Sequence, residues 1–208
     1  MKIGIVGSGM IGSTTAHLFA AAGHEVAIAN SRGPDSLQEM VSEIGGSALA
    51  TTVEDAAAFG EIVLVAVPLK AVADLPAGAF AGKVVVDANN YYPGRDGAIE
   101  ALDEDRTTSS ELLAEHLGDA RVVKAFNTMY YATLASEGRP DAPRDERLAL
   151  FAASDDAEAK QMVSQLIEEL GFAAVDTGSL AEGGRRQQPG TSIYAKDLTA
   201  PEAERAVA

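Results

Sequence analysis

Six residues near the start of the chain, Gly7-Ser8-Gly9-Met10-Ile11-Gly12, combine residue types and spacing suited to holding an anion. Glycine at the first position permits a sharp turn out of a strand. At the second it lets the backbone approach a diphosphate, and at the third it lets the next helix pack tightly on the sheet. The helix beginning here would point its free N–H groups at that diphosphate. Such spacing is common by itself, but its context is specific. The apolar run Lys2–Val6 precedes it, and alanines and apolar residues at helical spacing follow from Ile11 to Ala22.

The choice of dinucleotide is made at the end of the next strand, predicted over Glu25–Ala29. An NAD site offers an acid to the ribose hydroxyls about 20 residues after the glycines. Here the sequence is Asn30-Ser31-Arg32-Gly33-Pro34. An acid would repel a 2′-phosphate, whereas a serine hydroxyl, an arginine fork and the N–H groups of a helix start would bind it. NADP(H) is the expected cofactor; the competing reading makes Arg32 a solvated charge and Ser31 a helix cap. Two further segments, Val67-Pro68 and Asp87-Ala88-Asn89-Asn90, fall at predicted strand ends, where ligands sit in such sheets. The amides of Asn89 and Asn90 are read either as partners of the nicotinamide ribose or as turn chemistry before Pro93.

Reduction of a ketone or imine calls for a proton donor beside the reacting atom. None of the three histidines qualifies: His17 and His24 fall away from the strand ends or in packing, and His116 lies near a helix end. Lys124, ending a predicted strand, is the remaining candidate, although it could equally balance charge near the phosphate edge. Tyr130 and Tyr131 read as cleft walls or core. Hydride exchange with a flavin-like ring needs no protein acid, because the ring carries the electronic work and the protein supplies distance, stacking and exclusion of water.

Positioning these residues requires strands that alternate with helices. Apolar runs at Ile62–Val67, Lys83–Asp87, Arg121–Ala125, Leu148–Ala153 and Phe172–Asp176 predict further strands, with a short one near Ala48–Thr51. Helices are expected over Asp35–Ile44, Val53–Phe59, Ser109–Leu117, Met129–Ala135 and about Asp155–Leu170, the last capped by Ser154. The fold class is therefore α/β, a Rossmann-type doubly wound and mostly parallel sheet. Residues 1–178 form the dinucleotide-binding domain, and 179–208 form a small C-terminal extension with a mobile end.

Bulk composition narrows the partners. With 31 Asp and Glu against 16 Lys and Arg, a formal charge of −15 repels nucleic acid and anionic lipid, so the partner is a small-molecule redox co-substrate. With no cysteine, disulfides and thiolate chemistry are excluded. No apolar run approaches the roughly 18 residues of a membrane helix and no signal-peptide pattern opens the chain, so a cytoplasmic location is expected.

Together these motifs resemble the NADP oxidoreductases that use the deazaflavin coenzyme F-420, a group similar to the cytoplasmic reductase domain of membrane ferric reductases. The resemblance rests on Gly7–Gly12, Asn30-Ser31-Arg32, Val67-Pro68, Lys124-Ala125-Phe126-Asn127-Thr128 and Asp176-Thr177-Gly178-Ser179-Leu180. It implies that Ala125 and Asn127 lie at the cofactor, and that the deazaflavin stacks beside the nicotinamide in a cleft. Asn127 and Thr128 would floor that cleft, and Ser179 and Leu180 would form its far wall. It also implies pairing into a homodimer through the C-terminal part. The acceptor would be coenzyme F-420 or a flavin. A ferric or flavin reductase, a small imine or carbonyl reductase and a non-catalytic NADPH sensor are the alternatives. About 30 residues follow the last predicted strand, too few for the helical substrate domain of β-hydroxyacid dehydrogenases.

Overall fold

The strand-forming runs assemble into one sheet because β-branched and aliphatic residues are apolar on both faces there and need cover on both sides. The computed structural model describes all 208 residues. Its strands are β1 (Lys2–Val6), β2 (Glu25–Ala29), β3 (Leu49–Thr51), β4 (Ile62–Val65), β5 (Val84–Asp87), β6 (Arg121–Lys124), β7 (Ala149–Ala153) and β8 (Ala173–Gly178). They form an eight-stranded sheet in the order β3-β2-β1-β4-β5-β6-β7-β8. Strands β1 to β6 run parallel. β7 joins antiparallel through the pair Lys124 and Ala153, with β8 parallel to it. The order reverses between β1 and β4, and this switch point opens a crevice beyond the carboxyl ends of the strands.

Ten helices follow: α1 (Met10–Ala21), α2 (Gln38–Ile44), α3 (Val53–Phe59), α4 (Pro93–Asp96), α5 (Glu100–Asp103), α6 (Ser109–Leu117), α7 (Tyr131–Ser136), α8 (Ala157–Glu169), α9 (Glu182–Arg186) and α10 (Ala200–Val207). Strand residues alternate between faces. Ile3, Ile5, Leu64 and Val86 pack with Phe19 of α1, Leu134 of α7 and Leu166 of α8. Val63, Val65 and Val85 pack with Ala56 of α3 and Leu113 and Leu117 of α6. Both faces are thus buried, as the predicted doubly wound arrangement demands. Local caps fix the helix starts facing the crevice side: Thr52 accepts from the Asp55 N–H, and Thr108 with Glu111 closes a capping box on α6.

Several boundaries differ from expectation. Residues Pro34–Leu37 form a 3₁₀ turn before α2, because Gly33 enters at φ 87° and Pro34 sets a tight start. β4 stops at Val65, since the Val67 N–H turns to the Asn89 side chain. α8 is capped by Asp156, not Ser154: Asp156 accepts from the Ala159 N–H at 2.9 Å, while Ser154 Oγ donates to the Val122 carbonyl at 2.6 Å. Thr199 and Glu202 form a capping box, Ala200 and Ala203 of α10 are buried, and Ala203 packs with Ala149 and Phe151 of β7 and Val175 of β8.

Candidate functional site

Three glycines of the opening turn do different work. Gly7 sits at φ +111°, and a Cβ there would lie 2.1 Å from the Ala66 carbonyl oxygen. A Cβ on Gly12 would lie 1.9 Å from the Gly7 carbonyl oxygen. Both glycines are thus demanded by the protein's own backbone. A Cβ on Gly9 would meet nothing within 4 Å, so its missing side chain serves no internal packing. It leaves an open cradle at the start of α1, where Gly9 is the N-cap and no acidic residue occupies the first turn. The residues present therefore fit a dinucleotide diphosphate: bare backbone, free N–H groups and the positive end of a helix.

On one side of Gly9 lies a cleft of about 530 Å³ bordered by Gly7, Ser8, Asn30, Ser31 and Arg32. Asn30 organises it. Its Nδ2 donates to Ser8 Oγ at 3.0 Å and to Ser36 Oγ at 3.1 Å, while its Oδ1 accepts from the Arg32 N–H at 2.9 Å. The loop after β2 is thereby tied to the phosphate turn. The 3₁₀ turn is capped by Gly33, so Ser31 caps no helix, and the Arg32 side chain is exposed and forms no ion pair. Both are left available to a ligand in the cleft.

A second cleft of about 450 Å³ lies on the other side and shares Gly9, Ala66, Val67 and Pro68 with the first. Met10, Ile11, Asn89, Asn127 and Thr128 line it, as do Tyr92, Tyr130, Tyr131 and Tyr194. Two buried amides there have unpartnered atoms. Asn89 accepts from the Val67 N–H at 2.8 Å, yet its Nδ2 has no partner. Asn127 Nδ2 donates to Asn90 Oδ1 at 3.1 Å and to the Gln187 carbonyl at 2.8 Å, leaving its Oδ1 unpaired. Buried polar atoms without partners cost about 1–3 kcal/mol each, and a ligand with matching donor and acceptor groups removes that cost.

The tyrosine wall has its own bonding. The hydroxyls of Tyr92 and Tyr194 are hydrogen bonded, and Asn90 Nδ2 lies 3.5 Å from Tyr194 Oη. Burial, with the Tyr92 hydroxyl beside it, pushes the Tyr194 pKa up, so this phenol stays protonated. The Arg95 guanidinium lies 5.0 Å from the Tyr92 ring centre and donates to the Asn90 carbonyl at 2.6 Å. Burial disfavours the Asp96 carboxylate, but hydrogen bonds from Arg95 and from the Tyr92 and Lys70 N–H groups outweigh it and hold Asp96 below the usual carboxylate range. On the C-terminal side the Ala195 N–H donates to the Thr128 carbonyl at 2.8 Å, bringing Tyr194 and Ala195 onto the cleft.

The structure brings the phosphate turn, Asn30–Arg32, Val67-Pro68, Asn89, Asn127 and Thr128 to the two clefts; Gly12 lies just beneath the turn. Four expected residues are placed elsewhere. Lys124 is buried, its ammonium bonded to Asp87 and the Asn89 carbonyl, and it lines neither cleft. Ala125 is core packing. Leu180 belongs to the core on the α6 side, and Ser179 Oγ accepts from the Glu182 N–H at the start of α9, and neither residue lines either cleft. Tyr92 and Tyr194, which the sequence reading missed, line the second cleft. Tyr92 had a local signal, an aromatic pair just after a strand end; Tyr194 had none, since its partner lies 102 residues earlier.

A glycine-cradled crevice at the switch point of a doubly wound sheet defines the dinucleotide-binding Rossmann class. The family profile described as "NADP oxidoreductase coenzyme F420-dependent" matches residues 2–91 of the chain. Rat metalloreductase STEAP3 is 31% identical over 182 residues, covering 86% of this chain and 34% of that protein. The chain thus spans about a third of the length of the curated relatives it matches. A hypothetical protein of Sinorhizobium meliloti superposes with a TM-score of 0.82 at 37% identity, over 96% of this chain and 95% of the other. A proposed F420-dependent NADP-reductase of Arthrobacter sp. FB24 superposes with a TM-score of 0.76 at 27% identity, over 96% and 99%. No helix here is long and apolar enough to cross a membrane.

Proposed function

We propose that this protein catalyses hydride transfer between NADP(H) and a flavin-like ring, with deazaflavin coenzyme F-420 or a flavin as the small-molecule co-substrate. The carrying observation is that two clefts meet at Gly9 and Ala66–Pro68, one bordered by Ser31 and Arg32 and the other walled by tyrosines. A dinucleotide spanning the junction has its 2′-phosphate at Arg32, its diphosphate on the N–H groups after Gly7, and its nicotinamide half against Asn89 and Asn127. The bound reduced nicotinamide supplies the hydride.

The chain's own residues bind, orient and exclude water. Tyr92, Tyr130, Tyr131 and Tyr194 offer flat apolar faces to a planar ring, and Asn127 and Thr128 border the same space. No histidine or lysine lies among the residues of this cleft, and Tyr194 is held protonated by its surroundings, which suits an acceptor that needs no proton from the protein.

The test is NADPH oxidation with F-420, FMN, FAD and ferric chelates offered separately. Turnover with a ring acceptor is expected; bound NADPH with no turnover on any ring would overturn the proposal and favour a sensor. The likeness to a protein named a metalloreductase motivates a second reading, ferric reduction. Reduction of a ferric chelate with no ring present would favour it.

A further inference from the structure

Beneath the tyrosine-lined cleft lies a buried ion pair that the hydride chemistry does not use. Lys124 and Asp87 are register partners on β6 and β5, with side chains 1% and 0% exposed. The Lys124 ammonium donates to Asp87 Oδ2 at 3.1 Å and to the Asn89 carbonyl at 2.7 Å, with Ser109 Oγ at 3.5 Å. Asp87 Oδ2 also accepts from Ser110 Oγ at 2.5 Å, and its Oδ1 accepts from the Asn89 N–H at 2.9 Å.

Asn89 is therefore gripped at both of its backbone polar groups, the N–H by Asp87 and the carbonyl by Lys124. Its side chain is fixed as well. The Val67 N–H can face only an oxygen, so Oδ1 is committed to it at 2.8 Å and Nδ2 must point the other way. That Nδ2 is buried, has no protein partner, and belongs to a residue lining the cleft. A buried ion pair contributes little net stability compared with well-packed apolar residues of similar size, so its presence here calls for a reason other than stability.

We propose that Lys124 and Asp87 are positioning residues that hold Asn89 as a one-directional hydrogen-bond donor to an oxygen on the nicotinamide-riboside half of NADP(H). The inference rests on the nucleotide placement given above and is independent of the hydride acceptor. Lys124 thus acts through Asn89 and never meets the ligand. Neither a propensity nor a motif identifies such a role, because it depends on three strand ends converging.

The experiment compares binding of NADPH with that of 2′,5′-ADP, which keeps the phosphorylated adenosine half and lacks the nicotinamide riboside. In K124M, calorimetry should show NADPH weakened about tenfold and 2′,5′-ADP unchanged within about twofold. K124Q, whose amide still donates towards the Asn89 carbonyl, should recover most of the loss. K124M leaves the Asp87 carboxylate buried without a counter-charge; if it fails to fold, D87N/K124M carries the same comparison with no buried charge. NADPH binding unchanged in these variants would overturn the proposal. So would equal weakening of both ligands, the result of a merely structural role. An unmutated protein that binds neither ligand would overturn the nucleotide placement itself, whereas tight binding of both with indifferent variants would overturn the positioning role alone.

Discussion

Replacing Gly9 with alanine should separate binding from folding, because Gly9 is the one glycine of the turn whose Cβ would touch no protein atom. At Gly7 and Gly12 the added carbon would sit 2.1 and 1.9 Å from a backbone oxygen. Neither backbone can yield without moving β1 or α1, so G7A and G12A should lose about 3 kcal/mol or more. Gly9 has φ −75° and ψ −171°, a conformation open to alanine. Its loss as an N-cap costs about 0.5–1 kcal/mol. In a chain of this size that lowers Tm by roughly 1–4 °C. In the cradle the methyl group occupies the space through which a diphosphate reaches the N–H groups. Thermal melts with and without NADPH read both effects. At a hundredfold excess over Kd the nucleotide should stabilise the unmutated protein by about 2.7 kcal/mol, a shift of roughly 5–10 °C. G9A should melt within a few degrees of the unmutated protein and show almost no shift on adding NADPH. A G9A protein stabilised by NADPH as much as the unmutated one would refute the argument, since the open space would then not be the diphosphate site.

R32A should weaken NADPH about twentyfold and NADH less than about twofold, because only NADPH presents a 2′-phosphate to the guanidinium; fluorescence titration against both nucleotides checks it. The difference should shrink as salt is raised, since Arg32 is exposed and its field is screened. Y194F should raise KM for a ring acceptor several-fold while leaving Kd for NADPH unchanged, because the lost hydroxyl belongs to the wall of the second cleft; steady-state kinetics separates the two. Acid should loosen the fold through Asp96 and Asp156, both held below the usual carboxylate range: Asp96 by Arg95 and backbone N–H groups against the cost of burial, Asp156 by Arg121 and the Ala159 N–H. Depressed folded values mean that their stabilisation is complete above about pH 4. It is lost as pH falls through those values, so melts below pH 4 should show D96N less acid-sensitive than the unmutated protein.

The fold was legible because its signals are local. Apolar runs bounded by glycine, proline and charge gave every strand to within a few residues, and the glycine turn and Asn30-Ser31-Arg32 marked residues that the fold brings to one cleft. Caps were less legible: Ser154 and Asp156 are both good caps, and the Val122 carbonyl on another strand decided between them by taking the Ser154 hydroxyl. Lys124, Ser179 and Leu180 show the same limit at the site. Nothing in a run such as Arg121–Lys124 reveals that Asp87 and the Asn89 carbonyl will claim the ammonium before a ligand can.

What the chain's residues determined alone is therefore the sheet, its crevice and the open glycine turn, since those depend on backbone freedom and on hydrophobic periodicity within a few positions. Which side chains wall the second cleft was decided by tertiary structure. Tyr92 and Tyr194 meet only because the return of the chain past Thr128 is fixed by the Ala195 N–H, a contact between segments far apart in sequence. Pairings of that kind follow from how packed elements close on one another, and no neighbouring residue carries a trace of them.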